Sequence, residues 1–101
     1  MGTSSYLLIG NKNSEELSFG STCHGAGRVE SRTRAKKELT AEIVKKQLEE
    51  KDIIVEAGSM KGLVEEAPEV YKNVDDVVRV SHELKLATLV VKLKPLAVMK
   101  G

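Results

Sequence analysis

The chain has 101 residues, room for one domain whose core hides roughly 60–70% of the surface exposed by the unfolded chain. Sixteen Lys and Arg stand against 15 Asp and Glu, a formal net charge of +1. That balance excludes a uniformly basic nucleic-acid coat and an acidic solvating tail, though not a local patch. With 41% hydrophobic and 31% charged residues the chain is neither disordered nor fibrous, and its three aromatic side chains leave the core to Val, Leu and Ile.

Tyr6-Leu7-Leu8-Ile9 reads as a short strand closed by a turn or loop over Gly10-Asn11-Lys12-Asn13-Ser14. Residues 15–19 signal little beyond the bulk of Phe19. From Ser18 to Gly27 the chain is almost entirely small, with His24 as the exception in its middle. Such a stretch lets backbone approach a ligand closely, because few side chains stand in the way. Helix formers dominate from Arg28 to Glu50, with Thr40 as an N-cap and an apolar face of Ile43, Val44 and Leu48. Ile53-Ile54-Val55 reads as a strand, Gly58 and Gly62 bracket a loop, and Pro68 begins a short helical stretch. Asn73 caps a helix with a core side of Val74, Val77, Val78 and Leu84. Leu89-Val90-Val91 opens a last strand, which Pro95 interrupts and Leu96-Ala97-Val98-Met99 continues. The interleaving predicts an α+β domain.

The single cysteine, Cys23, excludes an internal disulfide framework, and two histidines do not complete a four-ligand zinc site with it. No apolar run approaches the roughly 20 residues that span a bilayer, and Met1-Gly2-Thr3-Ser4-Ser5 has no signal-peptide pattern. The expectation is a soluble, cytoplasmic protein with no membrane partner.

Two phosphate-binding motifs fail on inspection. Gly20 and Gly25 have the gap of a Walker loop, but Ala26 and Gly27 stand where Lys and Ser or Thr must be. Gly25-Ala26-Gly27 begins like a dinucleotide fingerprint, yet Glu30 takes the third glycine position. What survives is a glycine-rich loop before a helix predicted from about Arg28, where free N–H groups favour an anion; a plain tight turn is the competing reading. His24 offers a neutral imidazole nitrogen that can act as base, metal ligand or nucleophile toward phosphorus. His82 reads as a surface residue and Cys23 as a small buried hydrophobe.

Arg28, Arg32, Arg34, Lys36 and Lys37 set five cations against Glu30 in ten residues. On one helix, Arg28, Arg32 and Lys36 form an i, i+4 row whose mutual repulsion a polyanion relieves; a solvated face is the bland alternative. Glu65, Glu66, Glu69, Asp75 and Asp76 read as solvated acidic faces and N-terminal helix charges. After Pro95, Leu96, Val98 and Lys100 share one side of an extended chain, which sets a lysine behind two apolar residues.

Phe19-Gly20-Ser21-Thr22-Cys23-His24-Gly25-Ala26-Gly27-Arg28 resembles the signature of the RtcB family, the GTP-dependent RNA ligases of tRNA splicing and RNA repair. Met1 to Tyr6, Ser31-Arg32 with Ala35, Glu65-Glu66-Ala67-Pro68 with Tyr71-Lys72-Asn73-Val74, and Pro95-Leu96 through Lys100-Gly101 resemble further blocks of that family in order. The resemblance implies that the histidine matching His24 attacks the α-phosphate of GTP, giving a GMP–histidine phosphoramidate and pyrophosphate. GMP then passes to an RNA 3′-phosphate and is displaced by the 5′-hydroxyl of the other RNA end. It implies further that Gly25, Ala26 and Gly27 lie along the guanylate, Met1 and Ser5 help to hold it, Tyr71 stacks near the base and Lys100 contacts the guanine. Arg28 and Arg32 are our own addition, as contacts to RNA or phosphate.

The family is several times longer, and its manganese ligands lie upstream of the segment matched. The chain is therefore expected to be the C-terminal segment of a ligase, inactive alone and completed by the upstream part, with an opening strand that lacks partners. A stand-alone nucleotide- or RNA-binding module without catalysis, and a small interaction domain whose glycines are only turns, are the competing readings.

Overall fold

A computed structural model describes residues 1–101. The chain forms two compact units, one of Met1–Thr3, Arg28–Tyr71 and Pro95–Gly101, the other of Ser4–Gly27 and Lys72–Lys94. Helices and strands alternate through both, so the α+β expectation holds. No helix is long and apolar enough to cross a membrane.

In the first unit, α2 (Arg32–Glu38; α1, Asn13–Ser18, belongs to the second unit) begins where the Ser31 hydroxyl accepts the Arg34 N–H at 3.2 Å. That cap overturns the expected helix start at Arg28. Arg28 is instead extended and bridges Tyr71, and the Val29 N–H is donated to the Val70 carbonyl at 2.8 Å. Helix α3 (Ala41–Glu49) has the anticipated Thr40 cap and buries Val44 and Leu48 one turn apart. Ile43 misses that stripe and is 47% exposed. Strand β2 (Ile54–Ala57) runs parallel to β4 (Ala97–Lys100), with Ile54 opposite Ala97 and Ala57 opposite Lys100. The loop expected from Gly58 to Gly62 is a helix from Met60, because the Ser59 hydroxyl caps α4 (Met60–Glu65) at the Gly62 N–H. Pro68 opens a short 3-10 turn, Pro68–Val70.

These elements enclose Ala35, Val44, Leu48, Ile53, Leu63, Ala67 and Val70, with Met1, Tyr71 and Val98 packed on the margin. Gly2 is built into that core. Its φ is +73°, and an added Cβ would stand 2.6 Å from Leu48 Cδ2 and 2.7 Å from Pro68 Cγ.

In the second unit, β1 (Ser5–Gly10) pairs antiparallel with β3 (Ala87–Leu93), Ser5 opposite Leu93 and Gly10 opposite Ala87, with a bulge between Leu7 and Leu8. The opening strand thus has a partner, contrary to expectation. Pro95 does not interrupt one strand either: it separates strands that belong to different sheets. Helix α1 (Asn13–Ser18), where only a turn and weak signals were anticipated, ends at Phe19 in the left-handed region. Helix α5 (Val74–Glu83) has the anticipated Asn73 cap and buries Val78 and Ser81, whereas Leu84 lies just beyond it and is 55% exposed.

Candidate functional site

The residues singled out from the sequence fall into two groups, one in each unit. The first is the loop after α1. Phe19 (φ 54°) and Gly20 (φ +71°) turn the chain out of the helix, and irregular backbone then continues to Gly27. The buried Ser81 hydroxyl of α5 anchors the loop, accepting from Thr22 Oγ1 at 3.1 Å and lying 3.4 Å from Cys23 Sγ. Cys23 is half-buried beside this hydroxyl rather than the small buried hydrophobe expected. The next residue, His24, presents its imidazole to solvent.

The flanking glycines serve different needs. Gly27 has φ +79°, a left-handed conformation that favours glycine, and its carbonyl accepts the Lys72 N–H at 2.9 Å next to the Arg28–Tyr71 bridge. Gly25 has no positive φ, and a Cβ built on it meets nothing within 4 Å. Neither its own backbone nor packing calls for a glycine there. What the missing side chain provides is open space over the backbone beside the imidazole. Ala26 is half-buried, and Ser5 is exposed at the start of β1.

The second group gathers on Glu66, the residue that ends α4. Tyr71 donates its hydroxyl to Glu66 Oε2 at 2.5 Å, and Lys100 Nζ stands 3.5 Å from the same oxygen. Arg28 Nη1 lies 3.8 Å from Glu66 Oε1. The tyrosine and the cations hold the Glu66 carboxyl below its usual range, the Tyr71 hydrogen bond contributing most. Burial, and then the bond to Glu66, push the Tyr71 phenol up. Lys100 is fixed by sheet pairing: its carbonyl accepts the Gly58 N–H at 2.7 Å. Val98 and Lys100 do share the inner side of β4, but Leu96 is 77% exposed and does not join them. Met1 is half-buried against the same core.

Arg28 is almost wholly committed within the chain. It donates from Nη1 to the Glu65 carbonyl at 2.6 Å and to the Tyr71 hydroxyl at 3.2 Å, and from Nε to the Glu30 carbonyl at 3.0 Å. Its guanidinium carbon lies 5.1 Å from the centre of the Tyr71 ring. Only Nη2, itself buried, has no partner.

The cationic row is also not what the spacing predicted. With Arg28 off the helix, Arg32 and Lys36 remain as i, i+4 neighbours. Both reach Glu65, at 3.5 Å and 2.7 Å, while Arg34 pairs with Glu38 at 2.7 Å. Glu65 and Glu66 are therefore counter-ions and anchors, not a free acidic face. Hydrogen bonding from Lys36 leads the causes that keep the Glu65 carboxyl low. Arg32 is mostly exposed and keeps donors beyond that pair. His82 is exposed as expected, yet its Nδ1 accepts the Leu89 N–H at 3.1 Å and ties α5 to β3. Nothing in the local sequence announces that role. No three His, Cys, Asp or Glu side chains converge, so the residues of this chain do not fit a manganese ion.

Comparison with known proteins agrees with the loop signature. The family model for tRNA-splicing ligase RtcB matches residues 1–101. The chain is 50% identical over all 101 residues to the tRNA-splicing ligase RtcB of Nanoarchaeum equitans and 52% identical to that of Archaeoglobus fulgidus, covering 21% of each. It is 46% identical to the tRNA-splicing ligase RtcB of Pyrococcus horikoshii, covering 12% of it. The chain thus spans about a fifth or less of the curated relatives it matches.

Proposed function

We propose that this chain, which belongs to the RtcB family, carries the nucleophile and part of the guanylate site of a GTP-dependent RNA ligase. The ligase joins an RNA 3′-phosphate, or a 2′,3′-cyclic phosphate, to a 5′-hydroxyl. The observation that carries this reading is the solvent-facing imidazole of His24 beside the open backbone of Gly25.

A lone pair on a neutral imidazole nitrogen attacks the α-phosphorus of GTP. A P–N bond forms, the P–O bond to the β-phosphate breaks, and pyrophosphate leaves with the electron pair. The resulting phosphoramidate transfers GMP to the RNA 3′-phosphate, because imidazole is a good leaving group as well as a good nucleophile. The 5′-hydroxyl of the second RNA end then displaces GMP and seals the strand.

In this reading Gly25, Ala26 and Gly27 lie along the guanylate, Met1 and Ser5 help to hold it, Tyr71 stacks near the base and Lys100 addresses the guanine. Arg32 keeps the RNA or phosphate contact, and Arg28 acts through Tyr71. Manganese ligands belong to the upstream part, and no step is assigned to the metal here. The ion pairs that hold Arg34 and Lys36 at 2.7 Å each weigh against the alternative of a stand-alone RNA-binding module, since they leave Arg32 as the one member of Arg32, Arg34 and Lys36 with donors to spare.

The test is strand joining by this chain united with the upstream part of the ligase, supplied with GTP, manganese and RNA ends bearing a 3′-phosphate and a 5′-hydroxyl. The expected result is sealing that His24→Ala abolishes; sealing that survives His24→Ala overturns the reading. The 101-residue chain alone is expected to seal nothing.

A further inference from the structure

The geometry points to Glu66 as a positioning residue for base selection, holding Lys100 and Tyr71 so that the site prefers guanine over adenine without itself touching the nucleotide. This rests on the reading that Tyr71 and Lys100 meet the base.

One carboxylate here gathers Tyr71 from its own stretch of chain and Lys100 and Arg28 from two distant ones. Tyr71 follows the 3-10 turn, Lys100 ends β4, and Arg28 precedes α2. The carboxylate is itself well held. The Glu66 N–H is donated to the Leu63 carbonyl at 3.3 Å, and its neighbours Val64 and Ala67 are buried. It pairs with Arg28 at 3.8 Å and with Lys100 at 3.5 Å, so it supplies the negative charge between these two cations.

Lysine is a flexible stem with a donor-only tip. Guanine offers O6 and N7 as acceptors, whereas adenine presents an amine donor beside N7. A lysine held in one place can read that difference; one that swings in solvent reads it poorly. Tyr71 depends on the same anchor differently, since its hydroxyl needs only an acceptor. Substitutions therefore separate the two roles. Glu66→Gln keeps an amide oxygen for the Tyr71 hydroxyl but removes the charge that holds Lys100. Glu66→Ala removes both, and Glu66→Asp keeps the charge on a stem one methylene shorter.

The experiment measures equilibrium binding of GMP and of AMP, together with the maximal rate of His24 labelling by GTP, in the chain united with the upstream part of the ligase. Glu66→Gln is expected to lower the GMP-to-AMP affinity ratio about tenfold while the labelling rate at saturating GTP stays within about threefold of wild type. Glu66→Asp is expected to recover part of the ratio. An unchanged ratio in Glu66→Gln overturns the proposal. So does an equal loss for both nucleotides accompanied by a lower melting temperature, which marks a merely structural carboxylate. A fall in labelling rate at unchanged affinity overturns it as well, because it places Glu66 at the reacting atoms. Failure of the functional reading shows separately: wild-type protein that binds GMP but never labels His24 removes the nucleophile, while the affinity ratio still decides the role of Glu66. Wild-type protein that binds neither nucleotide overturns both.

Discussion

Replacing Gly2 with alanine is expected to damage the first unit severely. The backbone at this position has φ +73°, a left-handed conformation that costs an alanine about 1–2 kcal/mol. The added methyl would also sit 2.6 Å from Leu48 Cδ2 and 2.7 Å from Pro68 Cγ. Leu48 is fully buried, and the proline ring is rigid, so neither neighbour can swing away cheaply. Overpacking of this kind costs about 1–3 kcal/mol, which brings the sum to roughly 2–5 kcal/mol. Against a domain stability of about 5–15 kcal/mol that is a large fraction, and it lowers the melting temperature by roughly 8–40 °C. Thermal unfolding of the 101-residue chain, followed by circular dichroism, reads this directly. Gly25→Ala is the matched control, because its Cβ meets nothing and its φ is not positive; it is expected to stay within about 0.5 kcal/mol of wild type. Gly2→Ala and Gly25→Ala variants that melt together would refute the reasoning.

Gly25→Ala has a second expected effect: in the united ligase it slows GMP transfer to His24, since the new methyl fills the space assigned to the nucleotide, and an unaltered labelling rate speaks against that assignment. Ser81→Ala removes the hydroxyl that meets both Thr22 and Cys23; it should cost about 1 kcal/mol and raise amide exchange between Ser21 and Gly27, and unchanged exchange there would show that the loop is held otherwise. Acid should weaken the fold in a defined direction. The carboxyls of Glu65, Glu66 and Asp75 titrate below their ordinary values in the folded chain, through hydrogen bonds led by Lys36, Tyr71 and Lys92 respectively. Their contribution is therefore complete above the ordinary carboxylate range and is lost as pH falls through the depressed folded values. The urea midpoint should drop on acidification below about pH 4.5; a midpoint that stays level between neutrality and strong acid contradicts these pairings.

Local signals carried much of the fold. Thr40 and Asn73 cap helices as their side chains suggested, Pro68 opens its short turn, and the apolar runs at Tyr6–Ile9 and Leu89–Val91 lie in strands. Where the fold departs from local propensity, side-chain caps and long-range pairing decide. Helix propensity from Arg28 onward did not set where α2 begins; the Ser31 hydroxyl did. Gly62 looked like loop because glycine is a poor helix former, but its N–H is the one Ser59 caps. Strand pairing was out of reach, since β1 finds its partner some 80 residues away and Pro95 stands between strands of two different sheets.

The candidate site divides in the same way. A histidine among small residues was visible from spacing alone. That Glu66 anchors Tyr71 and Lys100 was not, because it requires the Glu66–Tyr71 stretch and the end of β4 to be folded together. The acidic residues passed for a solvated face since a sequence shows charges without their partners.

The most direct measurement is the bond on His24. The chain united with its upstream part is incubated with GTP labelled at the α-phosphate and manganese, without RNA, then digested and its labelled peptide sequenced. Radioactivity is expected on the peptide containing His24, released by mild acid as a phosphoramidate is, and absent from His24→Ala. Label that resists acid, or that persists on another residue of the variant, contradicts a bond at His24.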